Sequence, residues 1–242
     1  MSNIDIDLND EDALRLWTAV GDLVDRLPGH WVLIGGLMVQ LHALEHGVTN
    51  VRPTRDIDIL GQARPPGALR AIDAALRDDG FEPVLPDLDG YAHRYERHGL
   101  IVDLLAPDGI KPSPDLGARR KAIGVPGGSQ ALARAETVTV TVNARSFELR
   151  RPTLLGAVLI KARSLMVHAD PEAQREDLLV LLALIDDPRR LASQLRESER
   201  RWLRVAEQRL KLSRLSTLDA ETMRRAELAY RLLIRDPSKH PA

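Results

Sequence analysis

The residues that invite chemistry lie in one short stretch, Arg52-Pro53-Thr54-Arg55-Asp56-Ile57-Asp58-Ile59-Leu60. From Asp56 onward the pattern is that of a strand. Strand side chains point to opposite faces in turn, so Asp56 and Asp58 share a face. Two adjacent carboxylates repel each other and give folding nothing. A third acid, Asp103, interrupts the apolar run Leu100-Ile101-Val102-Asp103-Leu104-Leu105. A lone acid in a core strand is costly unless it is paired or bound to a cation, and a neighbouring arginine is one alternative partner. If the two strands lie side by side, the acids converge on one spot. Such a donor set suits Mg²⁺ (or Mn²⁺), a hard ion that takes carboxylate and phosphate oxygens. A pair of such ions can clamp the attacking and leaving oxygens of a phosphoryl or nucleotidyl transfer.

Upstream, Val32-Leu33-Ile34-Gly35-Gly36-Leu37 places paired glycines between a strand and a helix. Glycines there let backbone approach a ligand closely, and helix N-terminal N–H groups favour phosphate. A tight strand-to-helix turn is the plainer reading of the same pair. Neither GxGxxG nor GxxxxGK[ST] occurs, so neither a dinucleotide fold nor a P-loop is supported. His42 and His46 stand four apart on a predicted helix, but Ala43 occupies the position where the zinc-protease motif needs an acid, and no third ligand is evident.

The elements that must position these residues follow from periodicity. Asn9 or Asp10 caps a helix with Leu14, Trp17, Val20 and Leu23 at helical spacing, stopped by Pro28-Gly29. A short strand, the glycine pair and a helix closed by Gly47 come next. After the Asp-x-Asp strand, an amphipathic helix opens on Pro65-Pro66 and closes on Gly80. Three strands follow, the last carrying Asp103, then a polar Gly/Pro-rich loop from Asp108 to Gly128. A hairpin turns near Asn143. From Pro152 onward the periodicity is helical, and the long third segment, Asp187 to Leu212, is compatible with two helices. The expected organisation is a mixed α/β half over residues 1–150 and a helical half over 151–242.

With 242 residues, 44% hydrophobic and 29% charged, the chain can bury a sizeable core. No apolar run approaches a membrane span, and the acidic start lacks a signal's apolar region, so a cytoplasmic protein with no membrane partner is expected. The absence of cysteine excludes disulfides, thiolate zinc sites and a cysteine nucleophile. The net charge of -1 hides an asymmetry: residues 189–242 carry 14 Lys/Arg against 7 Asp/Glu, an excess of +7, whereas residues 1–60 carry 4 against 10, a balance of -6. The basic tail suits a polyanionic partner, or is a solvated helical face.

Taken together, Ile34-Gly35-Gly36, the Asp56-x-Asp58 strand and Asp103 on a later strand resemble the DNA-polymerase-β-like nucleotidyltransferase superfamily. More narrowly, Arg52-x-Thr54-x-Asp56-Ile57-Asp58 is similar to the AbiEii/AbiGii-type toxin nucleotidyltransferases, the toxin halves of bacterial toxin–antitoxin pairs. That family also carries an inward Lys on one helix and an Asp on the next, matched by Lys161 and Asp177. The resemblance runs in scattered motifs from residue 30 to about 185. It departs at Val180, where the family places a further Asp, and in a lengthened gap between Gly36 and Asp56.

The resemblance implies an α+β fold, with a polymerase-β-like core of mixed sheet flanked by helices, followed by a C-terminal helical bundle. It implies transfer of a nucleoside monophosphate from a nucleoside triphosphate to an acceptor hydroxyl, with release of pyrophosphate. Asp56, Asp58 and Asp103 would be the metal set; these three with Lys161 and Asp177 would be catalytic; Gly35, Gly36, Arg52, Thr54, Arg55 and Lys161 would bind nucleotide. The toxin branch implies an RNA acceptor, foremost a tRNA 3′ end, and a cognate antitoxin. Two other readings stand beside it. One keeps the chemistry and changes the acceptor to a small hydroxylated antibiotic or a partner protein, and salt-sensitive tRNA affinity separates the two. The other is a non-catalytic binding protein of the same fold, which loss of one of the acids would have favoured.

Overall fold

The computed structural model describes residues 2–7, 10–167, 171–211 and 218–235. In chain order the elements are β1 (Asn3–Ile6), α1 (Glu11–Arg26), β2 (Trp31–Leu33), α2 (Gly35–Glu45), β3 (Asp56–Gly61), α3 (Ala68–Asp78), β4 (Glu82–Pro83), β5 (Arg94–Arg97) and β6 (Leu100–Pro107). Then come β7 (Asp115–Gly117), β8 (Arg120–Lys121), β9 (Ile123–Val125), α4 (Gly128–Ala133), β10 (Ala135–Val142) and β11 (Arg145–Pro152). Helices α5 (Leu154–Ser164), α6 (Pro171–Ala183), α7 (Pro188–Ser193), α8 (Glu197–Lys211) and α9 (Ala220–Ile234) complete the chain.

The central sheet has the order β2-β3-β6-β5-β4, with β9 paired to β6 beyond the end of β5. Strands β3 and β6 run parallel; β2 and β5 run antiparallel to them, so the sheet is mixed. Strands β3 and β6 are apolar around their acids, and Ile57, Ile59, Val102 and Leu104 are fully buried. A second sheet, β1-β10-β11, packs with α1. Its hairpin turns at Asn143 and Ala144, both with positive φ, the conformation a two-residue type I′ turn requires.

Helix α1 is capped by Asp10, whose carboxylate accepts from the N–H groups of Asp12 and Ala13, a contact typically worth about 1 kcal/mol. The other cap candidate, Asn9, lies outside the described residues. Helix α2 is apolar nearly all round, which marks a helix buried on every side. It packs on both halves of the molecule. Met38, Val39 and Ala43 join one apolar cluster with α5, α6, α8 and α9, while Leu37 and Leu41 join another with α1, α3 and the sheets. The helices after Thr153 therefore rest directly on the element that follows the glycine turn.

Two stretches differ from the sequence reading. The segment from Asp108 to Gly128, read as loop, holds β7, β8 and β9, strands of three residues or fewer that show no periodicity. The acidic start contains β1, which alternates exposed and buried residues and pairs in parallel with β10. The long third helical segment is indeed two helices, α7 and α8. His42 is buried and donates its Nε2–H to the Pro152 carbonyl at 3.0 Å, while His46 Nδ1–H reaches the His42 carbonyl at 2.8 Å, so this pair stitches backbone together. Among the described residues, no helix is long and apolar enough to cross a membrane.

Candidate active site

Strand register builds the site. In the parallel pair β3–β6, Asp58 is directly opposite Asp103. In the antiparallel pair β6–β5, Asp103 is directly opposite Arg94. Neighbouring strands lie about 5 Å apart and in-register residues share a face. One row across three strands therefore reads Asp58, Asp103, Arg94, with Asp56 one step along β3. Carboxylate oxygens of Asp56, Asp58 and Asp103 all lie within 4.8 Å of one another.

The glycine turn is shaped by these acids. Gly35 has φ +72°, and a Cβ there would sit 1.7 Å from Asp58 Oδ2. A Cβ on Gly36 would sit 2.7 Å from the Thr54 Cβ. The bare backbone is thus required by packing against the Asp-x-Asp segment, and both glycines also line the cavity. The register is pinned by the Ile34 N–H, which donates to the Asp58 carbonyl at 2.9 Å. The Thr54 hydroxyl donates to Asp56 Oδ1 at 2.8 Å and orients that carboxylate.

Arg94 supplies a fixed positive charge on the acidic side. Its Nε and Nη2 donate to Asp103 Oδ1 and Oδ2 at 2.9 and 2.8 Å, a bidentate pair, and Nη2 lies 3.8 Å from Asp56 Oδ2. The same hydrogen bonds hold Arg94 more firmly cationic than a free arginine. Asp58 is in the opposite condition. Burial, then the charges of Asp56 and Asp103, push its carboxyl up from 3.8 to about 7, against the opposing pull of Lys161 and Arg94. An acid held so high marks negative charge left under-compensated. Asp56, Asp58 and Asp103 thus offer an all-oxygen, convergent donor set that suits a divalent cation, with Arg94 offsetting charge at Asp103 and leaving Asp58 least compensated.

The facing wall comes from the helical half. Lys161 on α5 is buried, and its Nζ donates to Asp177 Oδ2 on α6 at 2.7 Å and to Gln174 Oε1 at 3.2 Å. Asp177, also buried, takes a bidentate pair from Arg52 at 2.9 Å on each oxygen. One carboxylate therefore fixes two cations that reach the cavity from different elements. Lys161 does not snorkel to solvent, although helical lysines usually do.

The cavity so enclosed has a volume of about 450 Å³. Gly35, Gly36, Arg52, Asp56, Asp58, Asp103 and Lys161 line it, all of them singled out in the sequence. Thr54 and Asp177 stand behind the wall, each touching residues that line it. Arg55 is exposed and does not line the cavity. The sequence reading missed His93 and Arg94 on the acidic side and Ser164 and Gln174 on the helical side. It also missed an apolar end made by Leu105, Ile123, Val125, Pro126, Ile160 and Val167. The tight turn at Gly99 makes the Arg94 strand a hairpin neighbour of the Asp103 strand, but only the register between them puts Arg94 opposite Asp103.

Among solved structures, the fold is similar to that of an antigenic nucleotidyltransferase-like protein from Paracoccidioides brasiliensis, at 16% identity and a TM-score of 0.53, over 92% of this chain and 95% of that one. A CD-NTase, CdnG, from Bradyrhizobium diazoefficiens in complex with GTP aligns over 92% of this chain and 84% of its own at 14% identity, with a TM-score of 0.28. Only the first of these bears on the fold. No protein-family model and no curated protein sequence matches the chain. The fold is thus α+β and similar to that of a nucleotidyltransferase-like protein, with helices α5 and α6 lining the cleft opposite the sheet.

Proposed function

We propose that this protein is a Mg²⁺-dependent nucleotidyltransferase. The observation that carries the reading is the convergence of Asp56, Asp58 and Asp103 on one sheet face of a nucleotidyltransferase-like fold, across a cavity from buried Lys161. Asp56 and Asp58 hold the cation, which when bound supplies charge neutralisation to the phosphates and the developing oxyanion. Lys161 and Arg52, fixed by Asp177, hold the triphosphate. The N-terminus of α2 has no side-chain cap, so its first N–H groups are available to phosphate oxygens beside Gly35 and Gly36. The acceptor hydroxyl oxygen forms a bond to the α-phosphorus while the bond from that phosphorus to the β-bridging oxygen breaks. The hydroxyl proton passes to Asp103, and the electron pair leaves on pyrophosphate.

The acceptor we favour is RNA, with a tRNA 3′ end foremost, and the role that of the toxin in a toxin–antitoxin pair. The support is the Arg52-x-Thr54-x-Asp56-x-Asp58 string and the basic tail. That support is narrower than the charge count. Arg200 is buried and caps α9 by donating to the carbonyls of Leu233 and Arg235. Arg204, Arg224, Arg225 and Arg231 are each paired with an acid. This internal pairing favours a second reading, transfer to a small hydroxylated molecule or to a partner protein. Incubation with each α-labelled nucleoside triphosphate and Mg²⁺, with total RNA or with aminoglycosides as acceptor, separates them. Label in RNA supports the first reading, and label only in the small acceptor supports the second. Label in neither, with protein acceptors also tried, contradicts both.

A further inference from the structure

The three acids are not equivalent. Both oxygens of Asp103 are engaged by one guanidinium, and Arg94 Nη2 stands 2.8 Å from Asp103 Oδ2 and 3.8 Å from Asp56 Oδ2, between the two carboxylates. Among the described residues Asp56 receives one hydrogen bond, from the neutral Thr54 hydroxyl. Among the described residues the Asp58 carboxylate has no hydrogen-bonding partner at all, although Gly35 and Asp103 press against it. Negative charge is thus matched at one end of the cluster and bare at the other. The match is built into the sheet, since Arg94 and Asp103 are register partners on adjacent strands. Arginine suits a fixed position of this kind: its planar fork meets a carboxylate through two parallel bonds, and it stays charged at any working pH.

Resting on the nucleotidyltransferase reading, we infer that the acids bind one divalent cation, between Asp56 and Asp58, and that Arg94 takes the place of a second one between Asp103 and Asp56. An ion bridging Asp103 and Asp56 would have to occupy the space of the guanidinium and break its bidentate pair. Arg94 is then a positioning residue. It keeps Asp103 turned toward the cavity, free of metal, as the acceptor for the hydroxyl proton.

The test counts ions on the full chain without nucleotide, by titrating Mn²⁺ and following the free-ion electron paramagnetic resonance signal. The wild type is expected to bind one Mn²⁺, Arg94→Gln two, and Arg94→Lys, which keeps a cation, one. The double variant Asp103→Asn/Arg94→Gln removes the pair without leaving a lone charge. It is expected to bind one Mn²⁺ with affinity within about threefold of wild type, roughly the scatter expected for charge-neutral changes outside the ligand set. Two ions on the wild type overturn the inference. So does a single ion on a folded Arg94→Gln protein. If that variant does not fold, the double variant decides: an affinity loss beyond about tenfold, some 1.4 kcal/mol, makes Asp103 a ligand and overturns the inference. A wild type that binds one ion while Arg94→Gln gains none sinks this inference alone. A wild type that binds none, or whose binding survives Asp56→Asn/Asp58→Asn, contradicts the proposed function too.

Discussion

Replacing Asp58 by Asn should stabilise the metal-free protein, and by an amount that depends on pH in one direction. The Asp58 carboxyl rises from 3.8 to about 7 because it is buried and stands between two other acids. A raised carboxyl binds its proton more tightly folded than unfolded, so its contribution to stability is intact below about pH 4 and is lost as pH rises toward 7. At about 1.4 kcal/mol per tenfold change in proton affinity, the full loss is ~4 kcal/mol as a ceiling. Asp58 keeps partial solvent contact, so about half of that is a fairer figure, or roughly 5 °C of melting temperature for a chain of this size. The assay is thermal unfolding of both proteins in chelator across about pH 4.5 to 8, compared as a difference so that other titrating groups cancel. Asp58→Asn should melt above wild type at the alkaline end and converge with it at the acid end. Adding Mg²⁺ at the alkaline end should raise wild type toward the variant and leave the variant unmoved. A variant that melts below wild type at high pH, or a difference that does not shrink as pH falls, refutes the electrostatic reasoning.

Lys161→Ala should lower both activity and stability, but because Arg52 still pairs both Asp177 oxygens the stability loss should stay below the about 3–5 kcal/mol of an orphaned buried charge, readable by denaturant melts. Gly35→Ala forces a Cβ into the Asp58 carboxylate at a residue with φ +72°, so transfer activity should vanish and Mg²⁺ should no longer shift the melting temperature. Wild-type behaviour of that variant would show that the turn can relax away from Asp58. In the basic tail, the exposed Arg189→Glu and Arg201→Glu together should weaken tRNA binding and flatten its salt dependence by about 1–2 log units per log of salt, provided RNA is the acceptor. Unchanged filter-binding affinity across a salt series makes that face an internal scaffold.

The acids were legible because a strand has a period of two, and nothing apolar explains an Asp at alternate positions of an otherwise buried segment. The α+β fold was expected from the resemblance carried by the glycine turn, Asp56-x-Asp58 and Asp103, and the fold found is similar to that of a nucleotidyltransferase-like protein. Arg94 was not legible. Its place opposite Asp103 depends on the register between β5 and β6, and a slip of one residue would have turned it to the other face. Strand β9 was missed because three residues with a glycine in the middle carry no period, yet Ile123 and Val125 line the cavity beside Leu105. Lys161 and Asp177 were visible one by one. That they pair with each other, and with Arg52 from a distant loop, is set by how α5 and α6 pack. The charge excess of the tail was countable, but a count cannot tell an arginine that caps a helix from one that faces solvent.

The central claim is nucleotidyl transfer at the Asp56–Asp58 face, and the position of the label tests it most directly. The protein is given an acceptor and the same nucleoside triphosphate labelled either at the α- or at the γ-phosphorus, alongside Asp58→Asn. The α-label should appear on the acceptor and the γ-label in pyrophosphate, with neither product formed by the variant. γ-Label on the acceptor would mean phosphoryl transfer instead, and equal α-label transfer by Asp58→Asn would place the chemistry elsewhere.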